Sequence, residues 1–461
     1  MATVATPPRS APTAASPAAA SAARPPAGGA ARTATLEQVS PTAAQPIPHD
    51  CETGEGDPAD ARRAWTGREV GIDLARGAAL IGMMITHTQS AANAEGVLNP
   101  AWLVATGKSS ALFAVVAGVG IALTSGRTRP PSGRKWVAVV LSMLARAVVI
   151  GAIGLALGAV LGETNAMVIL PYYALLFVFA IPFLRLRVRW LVLATGVLAV
   201  GMPVLSMVLR ADLPWVVDPA NLTFGAVSSQ PAASLTELLL TGAYPALPWL
   251  AYVCAGLAVG RSRLSMRGVA AGIAAIGLAL ALAARAVSWY LLDVAGGQEP
   301  LTRAATKVMS LGDYVDLLLF GSNGTTPVNS VWWLAVMSPH TATVADLVFT
   351  IGTSLLALGV CIMVGRVVGR LVSPLAAAGT MPLTMYVLHL LMLAYLPISE
   401  GAEGLEFVIQ LTVLITFAMV WHHKFARGPL EQVIWWITDH IRRAVLGVRT
   451  GGTGALVRPA A

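Results

Sequence analysis

The sequence predicts an all-α fold: a polytopic bundle of about ten transmembrane helices with both termini cytoplasmic. Three observations predict it. The 461 residues are 56% hydrophobic and only 12% charged, where a soluble domain carries roughly 25% charged residues. The apolar residues gather in long uncharged runs, which meet the bilayer criterion of roughly 20 consecutive apolar residues, and mean hydropathy is +0.70. Basic residues cluster between alternate runs, the pattern that the positive-inside rule imposes. Only helices and closed barrels satisfy every backbone polar group in lipid. Runs this long and uniformly apolar do not alternate as barrel strands do.

In chain order, residues 1–64 are rich in Ala, Pro, Thr and Ser and cannot bury enough surface to fold, so they read as a disordered cytoplasmic tail. No apolar core of a signal peptide precedes the first long run. Ten runs follow, at about 70–91, 106–125, 136–161, 165–184, 188–209, 238–260, 268–292, 344–365, 375–397 and 405–425. They form a membrane domain over 65–427. Residues 428–446 read as an amphipathic interfacial helix, with Trp435, Trp436 and Ile437 beside Arg442 and Arg443. Residues 447–461 read as a flexible tail.

The connections test the count. Arg62, Arg63 and Arg68 precede the first run; Arg127, Arg129, Arg134 and Lys135 follow the second. Arg185, Arg187 and Arg189 follow the fourth, Arg261, Arg263 and Arg267 the sixth, and Arg366 and Arg370 the eighth. Lys424, Arg427, Arg442 and Arg443 follow the tenth, while the opposite connections carry mainly acidic residues such as Glu95, Glu163, Asp212, Asp313, Asp316 and Glu403. An even number of spans with both ends inside accounts for this alternation. The net charge of +8 therefore belongs to topology, and no continuous basic stripe marks a nucleic-acid partner. The three cysteines, Cys51, Cys254 and Cys361, are scattered and show neither a disulfide framework nor metal-ligand spacing.

Charged groups within the hydrocarbon cost about 2.5–3.5 kcal/mol each, so they are candidates for function. They are Asp73, Arg76 and His87 in the first run, Arg146 in the third, Arg285 in the seventh and His389 in the ninth. Eleven steps of about 100° return a helix to within about 20° of the same face, with about 16 Å of rise. Arg76 and His87 thus share a face, and Asp73 lies three residues before Arg76, close enough to pair with it. Two readings stay open. One is a structural Asp73–Arg76 pair with His87 bonded to a neighbouring helix. The other is an anchored cation for an anionic donor, with an imidazole for proton chemistry toward the outer side. His340, in an outer loop, is a further residue that could reach an acceptor.

The stretch Gly71-Ile72-Asp73-Leu74-Ala75-Arg76-Gly77, the Arg-x10-His spacing, Ser109-Ser110-Ala111-Leu112-Phe113 and Tyr244-Pro245-Ala246-Leu247-Pro248-Trp249 occur in that order. Ser338-Pro339-His340, the run from Met381 to His389, and Arg427-Gly428-Pro429-Leu430-Glu431 follow. Together they resemble the heparan-alpha-glucosaminide N-acetyltransferase catalytic-domain family and its bacterial relatives, within the transmembrane acyltransferase superfamily. The resemblance implies transfer of an acyl group, usually acetyl, from cytoplasmic acyl-coenzyme A to an amine or hydroxyl of an envelope sugar or glycolipid outside. It implies His87 as the catalytic residue, Arg76 near the donor path, and Tyr386 and His389 as a recurring element of the superfamily. The positions of the charges add His389 as a catalytic candidate and Asp73 and Arg146, with Tyr386, as candidates around the donor. The stretch Ala91 to Pro100, where the eukaryotic enzyme carries its histidine, holds none, so the assignment to His87 rests on the bacterial spacing. No permanently bound cofactor and no metal are expected; acyl-coenzyme A is a substrate. The expected setting is the plasma membrane, and a homo-oligomer stays open. The alternative class is a transporter or flippase of a lipid-linked glycan or small anion, which also buries ionisable residues.

Overall fold

A computed structural model describes residues 67–447 apart from 94, 128, 163–165, 214, 216–219, 265, 267, 323, 370 and 397–401. The tail expected over 1–64, Cys51, and the tail after Gly447 lie outside the described residues. Regular structure is entirely helical among the described residues, save one isolated bridge between Ala92 and Leu98.

Each of the ten expected ranges holds helix. They are α1 (Gly67–Thr88), α2 and α3 (Pro100–Ala105 and Lys108–Thr124), α4 (Gly133–Leu161), α5 (Leu170–Phe179) and α6 (Val188–Leu209). After the short α7 (Phe224–Ser229) and α8 (Pro231–Thr236) come α9 (Ala246–Arg261) and α10 (Val269–Trp289). Then follow α11 (Gln298–Ala305), α12 (Leu311–Phe320), α13 (Val344–Val368), α14 (Ser373–Thr380), α15 (Pro382–Tyr395), α16 (Glu403–Lys424) and α17 (Pro429–Leu446). Six helical segments are long and apolar enough to cross a membrane, and eight are if two bent pairs each count as one span.

The difference from ten has physical causes. α1 has 22 residues, about 33 Å of rise and ample length, but Glu69, Asp73 and Arg76 dilute its apolar character. α5 ends at Phe179 and gives way to a 3-10 turn, Ile181–Arg185, containing Pro182, which has no N–H to continue the ladder. The π-helical turn Glu237–Thr241 closes the α8 segment, which meets α9 at 52°; α14 meets α15 at 91°. Pro382 opens α15 at its first turn, where a proline removes no hydrogen bond.

α1 lies at the centre of the bundle, against α3, α13, α14, α15 and α16. Small residues let the backbones close up, the usual device where lipid offers no hydrophobic drive between helices. A Cβ on Gly256 of α9 would stand 1.9 Å from the Val115 carbonyl oxygen of α3, and one on Gly379 of α14 would stand 1.8 Å from that of Asp73. The amphipathic α17 packs on α4 and reaches the α14–α15 break through Glu431. Its carboxylate accepts from the Leu383 and Thr384 amides at 2.7 and 3.1 Å and from the Thr384 hydroxyl at 2.5 Å. That caps the first turn of α15, satisfying amides that a helix start leaves open.

Candidate active site: two cavities along one helix

Two cavities line α1, one toward each end. The first, about 340 Å³, lies toward its N-terminal end and is walled by Arg76, Arg146, Tyr173, Phe177, Tyr386 and Glu431. Arg76 is held by Asp73, 2.6 Å from guanidinium nitrogen to carboxylate oxygen. Gly120 makes room beside it, since a Cβ there would stand 3.3 Å from the guanidinium. Arg146 comes from α4 and lies over the Phe177 ring at 5.6 Å. Tyr386 accepts the Ile169 amide at 3.2 Å. Of the four residues expected around a donor, Arg76, Arg146 and Tyr386 therefore face one cavity. Asp73 stands behind Arg76 as its anchor rather than in the wall.

The second cavity, about 410 Å³, lies at the other end of α1 and includes Met83, His87, Trp102, Tyr244, Asp316 and His340 in its lining. His87 Nδ1 is 3.0 Å from Nε2 of His389, a residue 302 positions later in the sequence. The two rings lie 5.3 Å apart with 7° between their planes. That separation, with nitrogens in hydrogen-bond contact, describes imidazoles placed end to end in one plane and not face to face. His389 is buried on α15, and its Nδ1 meets the Gln410 carbonyl oxygen of α16 at 2.6 Å. With Nδ1 occupied, His87 has Nε2 left for the cavity.

His340 reaches the same cavity from a constrained loop. Its φ is +58° and that of Ala342 is +51°, a left-handed conformation uncommon for side-chain-bearing residues and held only where the surroundings enforce it. Gly107 and Gly321 provide that enforcement. A Cβ on either would crowd Pro339, at 3.1 Å from its Cβ and 2.1 Å from its carbonyl oxygen respectively. The His340 ring then meets the edge of Tyr244, with centroids 5.6 Å apart. Burial first, and the Lys108 ammonium second, pull its imidazole from 6.5 down to about 4. The sign follows from linkage. Above about 6.5 the ring is neutral in both folded and unfolded chains. As pH falls from there toward about 4 the unfolded chain binds the proton first, so stability is lost across that window. His340→Gln should therefore show a smaller drop in melting temperature between pH 7 and pH 4.5 than wild type. An equal drop in both proteins would remove His340 as a source of acid sensitivity.

Other basic residues and histidines lie elsewhere. Arg285 lines a separate cavity with Lys108, Trp289, Asp293 and Asp346. His422 and His423 sit in the last turn of α16, far along the helix from Gln410. Gln410 and Glu406, whose amide and carboxylate are 3.0 Å apart, are members of the site that sequence reasoning does not find. The only signal for them is a lone amide inside an otherwise apolar run.

No curated protein matches this chain. Residues 68–293, which include Arg76, His87, Arg146 and Tyr244, match the family model described as Heparan-alpha-glucosaminide N-acetyltransferase, catalytic, and this segment carries a domain of that family.

Proposed function

We propose that this protein moves an acyl group, acetyl by family, from cytoplasmic acyl-coenzyme A to an amine or hydroxyl of an envelope sugar or glycolipid on the outer side. The observation that carries the reading is the placement of Arg76 and His87 in two different cavities along one helix, about 16 Å apart in rise. Ten spans with both termini cytoplasmic, in the plasma membrane, put the Arg76 cavity toward the coenzyme and the His87 cavity toward the acceptor.

The phosphates of coenzyme A fit the Arg76 and Arg146 guanidinium groups, which offer forked donors to phosphate oxygens. Its flexible arm then carries the thioester toward His87. Imidazole suits the chemistry because its proton exchanges near neutral pH. His87 Nε2 takes the proton from the acceptor O–H or N–H as the heteroatom attacks the thioester carbonyl carbon. The new C–O or C–N bond forms, the C–S bond breaks, and His87 Nε2–H gives its proton to the departing thiolate, which leaves as the coenzyme thiol and returns the imidazole to its neutral form.

Broken helices such as α14–α15 also occur in transporters, where a half-helix N-terminus is open to an anionic substrate. Here the Glu431 carboxylate occupies that N-terminus, which favours the transferase. The test is a proteoliposome assay with acetyl-labelled acetyl-coenzyme A and D-glucosamine. Label appearing on the sugar amine supports transfer. Release of neither acetyl-sugar nor free coenzyme, with either compound crossing the bilayer intact, would establish the transporter.

A further inference from the structure

We infer that Gln410 and Glu406 are positioning residues that set the tautomer of His87, through His389, so that its Nε2 is the unprotonated nitrogen. The inference rests on the reading of His87 as the base. It follows from the polarity of one hydrogen-bonded chain across three helices. Glu406, half-buried on the first turn of α16, presents its Oε1 to Gln410, and a carboxylate oxygen there accepts. Gln410 Nε2 donates to its Oε1 at 3.0 Å, which fixes the amide with its carbonyl oxygen toward α15. That oxygen, 2.6 Å from His389 Nδ1, must receive a proton donor. His389 neutral with Nδ1–H has a lone pair on Nε2, and the 3.0 Å contact to His87 Nδ1 then requires Nδ1–H on His87. The lone pair of His87 falls on Nε2.

Each step is forced by the preceding one, and the direction originates in the carboxylate. Reversing the amide would make Gln410 a donor to His389, place the proton on His389 Nε2, and leave His87 with Nε2–H and no basic nitrogen toward the cavity. Burial raises the importance of this choice, because Gln410 and His389 are each 2% exposed and water does not compete for their polar atoms. The start of α16 is itself tied to the end of α1. Gln89 Nε2 donates to the Glu403 carbonyl at 2.7 Å, and the Ser90 hydroxyl donates to the Glu403 carboxylate at 3.1 Å.

Three variants test the chain. Gln410→Met keeps length and bulk but offers His389 no acceptor. Glu406→Gln keeps shape and removes the source of direction. The exchange Glu406→Gln with Gln410→Glu places a carboxylate directly against His389 Nδ1 and restores the direction. Two rates are read in each: acetyl transfer to D-glucosamine, and carbethoxylation of His87 by diethyl pyrocarbonate, mapped by mass spectrometry. The second needs no acceptor and reports the free ring nitrogen.

Gln410→Met should lose about 10–100-fold in transfer, the usual cost of removing a partner that orients a functional histidine, and His87 should carbethoxylate more slowly. Glu406→Gln should lose severalfold, and the exchanged pair should recover most of the wild-type rate. A purely structural hydrogen bond would show its loss in melting temperature and would not be rescued in rate by the exchange. Wild-type rates in Gln410→Met overturn the inference, as does an exchanged pair no faster than Gln410→Met at equal melting temperature. Should the Met variant fail to fold, unchanged rates in Glu406→Gln have the same force. An inactive His87→Gln beside normal Gln410 and Glu406 variants would sink this inference alone. An active His87→Gln would sink the base itself, and the carbethoxylation rates would still decide the tautomer.

Discussion

His87→Gln should fold normally and lose acyl transfer. General acid–base assistance is worth about 10²–10⁴-fold, so the loss is measurable in single-turnover transfer from labelled acetyl-coenzyme A. Glutamine is the informative replacement for a geometric reason. Its amide can donate to His389 Nε2 as the imidazole Nδ1–H does, and it fills a similar volume in the cavity that Met83 and Tyr244 also line. What it lacks is a ring nitrogen with a lone pair that can take up a proton. Melting temperature on the same samples separates the two roles. A folded variant with wild-type transfer would remove the base, and a large fall in melting temperature with full activity per folded molecule would make His87 structural.

The shared face of Arg76 and His87 is legible in the sequence because helical periodicity is a local property that eleven residues define. What periodicity does not show is that each residue opens into its own cavity, since the walls come from α3, α4, α5 and α15 around Arg76 and from α2, α3, α12 and the His340 loop around His87. The Tyr386-x-x-His389 spacing draws attention to His389 by resemblance, but its contact with His87 depends on how α15 bends away from α14. Hydropathy alone reads 375–397 as one continuous span, although Pro382 stands inside it. A proline inside an apolar run has two meanings, a kink within one helix or the first turn of another, and only packing at Gly379 and the Glu431 cap decide between them. Glu431 is visible in the sequence as part of a motif, and its work as a helix cap needs the fold. Gln410 and Glu406 escape for a different reason. A search for charge inside the membrane passes over a neutral amide, and a carboxylate one turn into a helix looks like an ordinary outer-end residue.

Removing either cation of the Arg76 cavity should weaken coenzyme binding. A hydrogen bond to a charged group is worth about 1.5–3 kcal/mol, so Arg76→Ala and Arg146→Ala should each raise the Kd for acetyl-coenzyme A about 10–100-fold by calorimetry. The two variants differ in what they leave behind. Arg76→Ala also removes an ion pair with Asp73 within the bundle, so a lower melting temperature should accompany weaker binding. Arg146 lies over Phe177, and Arg146→Ala should leave stability closer to wild type, which makes it the cleaner measure of donor contact. Arg76→Lys and Arg146→Lys should recover only part of the affinity, because an ammonium keeps the charge and loses the planar fork that meets two phosphate oxygens at once. Arg285→Ala is the control, since that side chain lines a different cavity, and its Kd should match wild type. Affinity should also fall as salt is raised, most steeply in wild type, where both cations are present. Wild-type Kd values in both alanine variants would take the donor out of this cavity, and a loss confined to Arg285→Ala would move it to the cavity beside Lys108.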